Sequence, residues 1–113
     1  MTEAIRLVLV DDHAIVREGY RRLLESRPDI LIAGEAATAR DALDQFKVLA
    51  PDVLVLDLGL PDMGGVELIR RLLQRDPGAR ILVFTMHREP LFATQALRAG
   101  ALGYVTKSSP PEV

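Results

Sequence analysis

The chain has 113 residues, 49% of them hydrophobic and only 4% aromatic, with 16 acidic against 14 basic residues and a formal net charge of -2. That length holds one core and one domain rather than two, and the near-balanced charge argues against nucleic-acid binding by this stretch alone. No segment approaches a membrane span, no signal peptide precedes Ile5, and the absence of cysteine rules out disulfides and thiolate chemistry. These features are compatible with a reducing cytoplasm, the location expected for the chain.

Ile5 to Val10 is strand-like and ends abruptly in Asp11-Asp12-His13. From Ala14 to Ser26, Val16, Tyr20, Leu23 and Leu24 recur at helical spacing with Arg17, Glu18, Arg21, Arg22 and Glu25 between them, predicting an amphipathic first helix. Pro28-Asp29 breaks it. Ile30 to Ala36 reads as a weaker second strand, and its Gly34 and Glu35 suggest an edge position. Thr38 with Asp41 has the form of a helix N-cap followed by an acid at the third helical position, opening a helix that buries Leu43, Phe46 and Leu49.

Pro51 closes that helix, and the next run, Val53-Leu54-Val55-Leu56, goes straight into Asp57 and a turn rich in Gly and Pro. Apolar residues at successive positions predict a strand covered on both faces, as in a parallel sheet between helices. Val66 to Asp76 returns to helical period through Leu68, Ile69, Leu72 and Leu73; Arg80 to Thr85 is a fourth strand; Pro90 to Ala99 is a helix stopped by Gly100; Gly103 to Thr106 is a short fifth strand ending at Lys107. Strand and helix alternate five times, the pattern of a parallel α/β sheet with right-handed crossovers. Ser109-Pro110-Pro111-Glu112 has the composition of another helix opening, so a fifth helix is expected to be truncated or missing after it.

In such a sheet ligands gather beyond the carboxyl ends of the strands. The polar residues that fall there are Asp11 and Asp12 after strand one, Asp57 after strand three, Thr85 at the end of strand four and Lys107 after strand five. Clustered carboxylates repel unless one is protonated or a hard divalent cation lies among them. All-oxygen donors suit Mg2+, and a carboxylate beside that ion is a competent nucleophile toward phosphorus. Lys107 is one of only two lysines, the other being Lys47, and it could hold a phosphoryl oxygen as a point charge; Thr85 could donate a hydroxyl hydrogen bond. His13 and His87 have no partner at metal-ligand spacing and are left unassigned.

Asp11-Asp12, Asp57 followed by Leu60-Pro61-Asp62-Met63-Gly64-Gly65, Thr85, and Tyr104 three residues before Lys107 resemble the receiver domain of two-component response regulators over essentially the whole chain. Asp12-His13 with Val16-Arg17-Glu18-Gly19, and Leu97 to Tyr104, resemble in particular its NarL/FixJ branch. The resemblance implies a flavodoxin-like sheet in the order 2-1-3-4-5 with helices on both faces, residues 1–113 forming the receiver and a helix-turn-helix DNA-binding domain expected beyond Val113. It further implies that Asp57 accepts a phosphoryl group from a histidine kinase, that Asp12, Asp57 and the Gly59 carbonyl hold Mg2+ with Asp11 acting through water, and that Thr85 and Lys107 bind the phosphoryl oxygens. Thr85 and Tyr104 would form the switch that reshapes the α4-β5 face, with a homodimer and transcription control as the output. DNA would be met only through that further domain, and no membrane is involved.

The chain departs from the family pattern in places. Ser108 follows Lys107 where many relatives carry Pro, Met86 is bulkier than the usual residue after the Thr and is expected to shield the site from water, and Gly59 offers no side chain. Two other functions remain in view. An aspartyl-phosphate phosphatase would need a second Asp two residues after the nucleophile as general acid, and that position is Gly59. This favours a signalling domain over an enzyme. The other is an interaction module that merely keeps the acids. A dinucleotide enzyme fails because Asp11-Asp12-His13 stands where a glycine-rich phosphate loop is required.

Overall fold

The computed structural model describes residues 4–85 and 90–106. Along them run β1 (Ile5–Val10), α1 (Ala14–Glu25), β2 (Ile30–Ala36), α2 (Ala39–Leu49), β3 (Val53–Leu56), α3 (Gly65–Arg75), β4 (Arg80–Thr85), α4 (Pro90–Ala99) and β5 (Gly103–Thr106). All strand pairs are parallel and the sheet order is β2-β1-β3-β4-β5, the doubly wound arrangement that the resemblance implies. β2 is an edge strand, as its Gly34 and Glu35 suggest. The expected fifth helix lies outside the described residues.

The strands alternate in the way a period of two requires. Val8, Val10, Leu54, Leu56, Ile81 and Val83 turn to one face and are essentially inaccessible, joining Ala39, Ala42 and Phe46 of α2, Leu68, Ile69 and Leu72 of α3 and Ala96 of α4 in one core. Fully burying each large aliphatic side chain stabilises the fold by about 1.5–3 kcal/mol. This face therefore carries most of the hydrophobic stabilisation.

On the opposite face, Leu7 and Leu9 are buried, and Tyr20 of α1 packs on Phe84 of β4 with ring centroids 4.5 Å apart and planes tilted by 60°. The amphipathic stripe of α1 is only partly covered: none of the residues of α1 is buried, and Leu23 is half exposed. The helix lies over β1 and the edge strand β2, and a helix at a sheet's edge has strands beneath only part of its apolar face. Similarly, in β3 Leu54 and Leu56 are buried while Val53 and Val55 are only half-buried, so coverage of that strand is uneven rather than equal on both faces.

Helix ends follow local chemistry. The Thr38 hydroxyl oxygen accepts the Asp41 N–H at 3.1 Å, the cap that the sequence predicts. Gly100, with φ +117°, ends α4 in a conformation that side-chain-bearing residues avoid, and a Cβ there would strike Leu73. Between β1 and β2 the register shifts after Leu7, so that Ala33 is an extra residue and Glu35 and Ala36 come to lie opposite Leu9 and Val10. That bulge delivers Glu35 to the end of the sheet where the acids gather.

Candidate functional site

Asp11 and Asp57 leave the ends of adjacent strands. β1 pairs with β3 through Val10 and Leu56, and the ladder continues one residue further, where the Asp57 N–H donates to the Val10 carbonyl at 2.9 Å. Asp11 is tied on its other side, its N–H donating to the Ala36 carbonyl at 2.9 Å. Two carboxylates thus start from hydrogen-bonded backbone on neighbouring strands, and both are buried, at 6% and 5% exposure. Asp12 is exposed.

Ligand atoms of Asp11, Asp12, His13 and Asp57 all lie within 4.8 Å of one another. Oxygens around Mg2+ at about 2.1 Å are at most about 4.2 Å apart, so small rotations of these side chains would bring three carboxylates around one ion. The donor set fits a hard divalent cation. His13 is the member that sequence reasoning left unassigned. Its N–H donates to Asp11 Oδ1 at 2.8 Å, and its ring Nδ1 is 3.1 Å from Oδ1 of both Asp11 and Asp12. Only its place at the start of α1, directly after the two acids, hints at this.

The loop after β3 is ordered around Asp57. Gly59 donates its N–H to Asp57 Oδ1 at 3.3 Å, an Asx-type bond that turns the chain away from the strand. Further along, Asp62 accepts the N–H groups of Ala39 and Arg40 at the start of α2. Those two bonds, the one to Ala39 first, hold its carboxyl below the ordinary value of 3.8. Gly65 begins α3 with its N–H on the Leu58 carbonyl at 3.1 Å, so close that a Cβ would sit 2.6 Å from Leu58 Cα.

Thr85 is the last residue of β4, paired with Thr106 in β5, and β4 is the strand next to β3, so its backbone shares the rim with Asp57. Tyr104 pairs with Val83 and is half-buried against the core. Lys107 and Met86 lie outside the described residues, as do His87 and Ser108.

Arg17, placed by its spacing among the polar residues of α1, is instead largely covered. Its Nη1 donates to the Asp11 carbonyl at 2.6 Å and its Nε to Glu35 Oε1 at 3.1 Å. Helical period alone cannot reveal a contact that depends on where β2 ends.

The sequence matches the family of the response regulator receiver domain over residues 7–113. The chain belongs to that family. The receiver is 36% identical over 108 residues to the response regulator UvrY of Escherichia coli (strain K12), a match covering 96% of this chain and 50% of that protein. Among solved structures it is similar to a two-component response regulator of the LuxR family from Aurantimonas sp. SI85-9A1, with a TM-score of 0.93 and 53% identity over 97% of this chain and 79% of the other. It is also similar to the signal receiver domain of the putative response regulator NarL from Mycobacterium tuberculosis, with a TM-score of 0.90 and 35% identity over 96% of this chain and 87% of the other. These relatives agree with the NarL/FixJ branch. The receiver spans about half the length of the curated relatives it matches. Among its described residues no helix is long and apolar enough to cross a membrane.

Proposed function

We propose that this receiver domain takes a phosphoryl group onto Asp57 from the phosphohistidine of a histidine kinase and uses it to control an output domain that binds DNA. The observation that carries the reading is the meeting of Asp11, Asp12 and Asp57 within 4.8 Å at the carboxyl rim of a parallel sheet, two of them buried. A buried carboxylate crowded by two others is a poor structural element and a good metal-dependent nucleophile.

Asp12, Asp57 and the Gly59 carbonyl would hold Mg2+, with Asp11 acting through a water. Bound there, the ion supplies positive charge that lets the acids and an incoming phosphoryl group share one small space. An Asp57 carboxylate oxygen attacks phosphorus, forming an O–P bond as the P–N bond to the donor imidazole breaks and that nitrogen leaves. Thr85 and Lys107 take the phosphoryl oxygens by hydrogen bond and by charge. The product carries about -1.5 to -2 of charge and three acceptor oxygens, and Thr85 and Tyr104 turn that change into a different α4-β5 surface and a homodimer. Signalling rather than turnover of an external substrate is the role, because Gly59 stands where a phosphatase needs its general acid.

Incubation with acetyl phosphate or beryllofluoride and Mg2+, followed by mass spectrometry and measurement of oligomeric state on the same samples, tests this. One stable adduct on the wild type, absent from Asp57→Asn, is the expected result. Multiple turnover would indicate a phosphatase. The absence of any adduct with either reagent would indicate an interaction module that keeps the acids without using them.

A further inference from the structure

We propose that Arg17 is a positioning residue for the acid cluster: by gripping the Asp11 carbonyl and Glu35 together, it fixes the turn that carries Asp11 and Asp12 and so sets the affinity of the site for Mg2+. This inference rests on the Mg2+ reading above. Arg17 touches neither the ion nor the phosphoryl group in that reading, and it acts through the backbone of Asp11.

The turn from Asp11 to His13 belongs to no strand or helix; it is tied locally by the His13 N–H and ring on the two acids and by the Arg17 N–H on the His13 carbonyl at 2.9 Å. The N-cap residue His13 makes no side-chain cap bond, and the first turn of α1 holds no acidic residue. The Asp11 N–H is held by Ala36, which leaves the Asp11 carbonyl, on the way to Asp12, to be fixed from elsewhere. Arg17 does this with Nη1 at 2.6 Å while its Nε is engaged by Glu35 at 3.1 Å. A planar guanidinium held at two edges has little freedom left, and that rigidity passes to the carbonyl it grips.

Glu35 is itself braced. Its second oxygen lies 3.5 Å from Nη1 of Arg21, and its carbonyl accepts Gln45 Nε2 at 2.5 Å. A chain of contacts therefore runs from α2 through the end of β2 to Arg17 and the acids. The Arg17 side chain is 20% exposed, so water competes poorly for these bonds. Groups that orient metal ligands in this way typically account for a factor of about 10–100 in metal affinity.

The sign of the effect separates this role from its rivals. A cation merely near the acids opposes a second cation, so removing its charge would tighten Mg2+ binding. A tie that only docks α1 on β2 would lower the melting temperature and leave Mg2+ binding alone. Positioning demands weaker binding, by about 10-fold in Arg17→Ala.

The test is calorimetric titration of Mg2+ into wild type, Arg17→Ala, Arg17→Lys and Arg21→Ala, with the Tm of each. Arg21→Ala removes the other arginine on Glu35 but leaves the Arg17 bond to the Asp11 carbonyl, so it is expected to weaken Mg2+ binding far less than Arg17→Ala does. Arg17→Lys keeps the charge and the aliphatic stem, so it preserves folding even where Arg17→Ala does not. A single ammonium cannot serve Asp11 and Glu35 together in the fork geometry, so its affinity is expected to fall between wild type and Arg17→Ala. Unchanged or tighter binding in Arg17→Ala and Arg17→Lys overturns the proposal while leaving the Mg2+ site standing. A wild type that binds no Mg2+ overturns both.

Discussion

Asp62 reaches back across 23 residues to Ala39: its Oδ1 accepts the Ala39 N–H at 2.8 Å while its Oδ2 accepts that of Arg40 at 3.0 Å. The loop that follows Asp57 is thereby fastened to the start of α2, where the N–H groups of the first helical turn and the helix dipole favour a negative charge. Thr38 satisfies the Asp41 N–H of the same helix turn, so one end of α2 is capped from two directions.

Asp62 is expected to stabilise the fold in a pH-dependent way. The two backbone N–H bonds hold its carboxyl below the ordinary value of 3.8. A carboxyl depressed in the folded state contributes stability that is fully present above its unfolded value and is lost as pH falls through its folded value. Asp62→Asn should therefore melt at a lower temperature than wild type at neutral pH. The gap should narrow as the pH drops below 3.8. Thermal melts of both proteins across that range check this, and a gap that stays constant would contradict it.

Ala50 predicts an opposite sign. It closes α2 at φ 45° and ψ 59°, the left-handed region, with its N–H on the Phe46 carbonyl at 3.1 Å. That conformation costs a residue with a Cβ roughly 1–2 kcal/mol, which glycine avoids at the expense of some chain entropy. Ala50→Gly should therefore stabilise the domain by about 0.5–1 kcal/mol. Denaturant midpoints at unchanged m-value would show it.

Much of this architecture is legible in the amino-acid order because it depends on neighbours. Strand periods in Ile5–Val10 and Arg80–Thr85, the Thr38 cap and the stop at Gly100 are short-range signals, and each strand end then falls on the same rim. Asp11, Asp12 and Asp57 come together for that reason. What escapes are contacts made across the fold. Asp62 is a turn residue until α2 is seen opposite it, Arg17 is one more polar residue of α1 until the bulge after Leu7 brings up Glu35, and His13 gains its acid neighbours only from the geometry of one turn. Leu23 is the converse case, because periodicity reports an apolar stripe without reporting how far the sheet extends beneath it.

Gly65 couples stability to the site. A Cβ there would meet Leu58 Cα and Cδ2 at 2.6 Å, and because one of these is backbone it cannot swing aside. Gly65→Ala should destabilise by about 1–3 kcal/mol, the range for overpacking. It should also push on Leu58, the residue after Asp57. The expected signature is a lower Tm together with slower uptake of phosphate from acetyl phosphate at a temperature where the variant is fully folded. Wild-type values for both would remove the steric argument.

Metal removal should expose the strain that the acids place on the fold. With Asp11, Asp12 and Asp57 drawn within 4.8 Å, neutralising one of them relieves repulsion, whereas a bound cation relieves it for all three. Ligand that binds only the folded state adds RT ln(1 + [L]/Kd), about 2.7 kcal/mol at a hundredfold excess over Kd. In EDTA, Asp57→Asn should accordingly melt above wild type. Saturating Mg2+ should raise wild type by several degrees and the variant by little, so that the order of the two Tm values closes or reverses. Thermal melts of both proteins with and without the metal decide it. Equal Tm values in EDTA together with equal gains on adding Mg2+ would mean that Asp57 neither crowds its neighbours nor holds the ion.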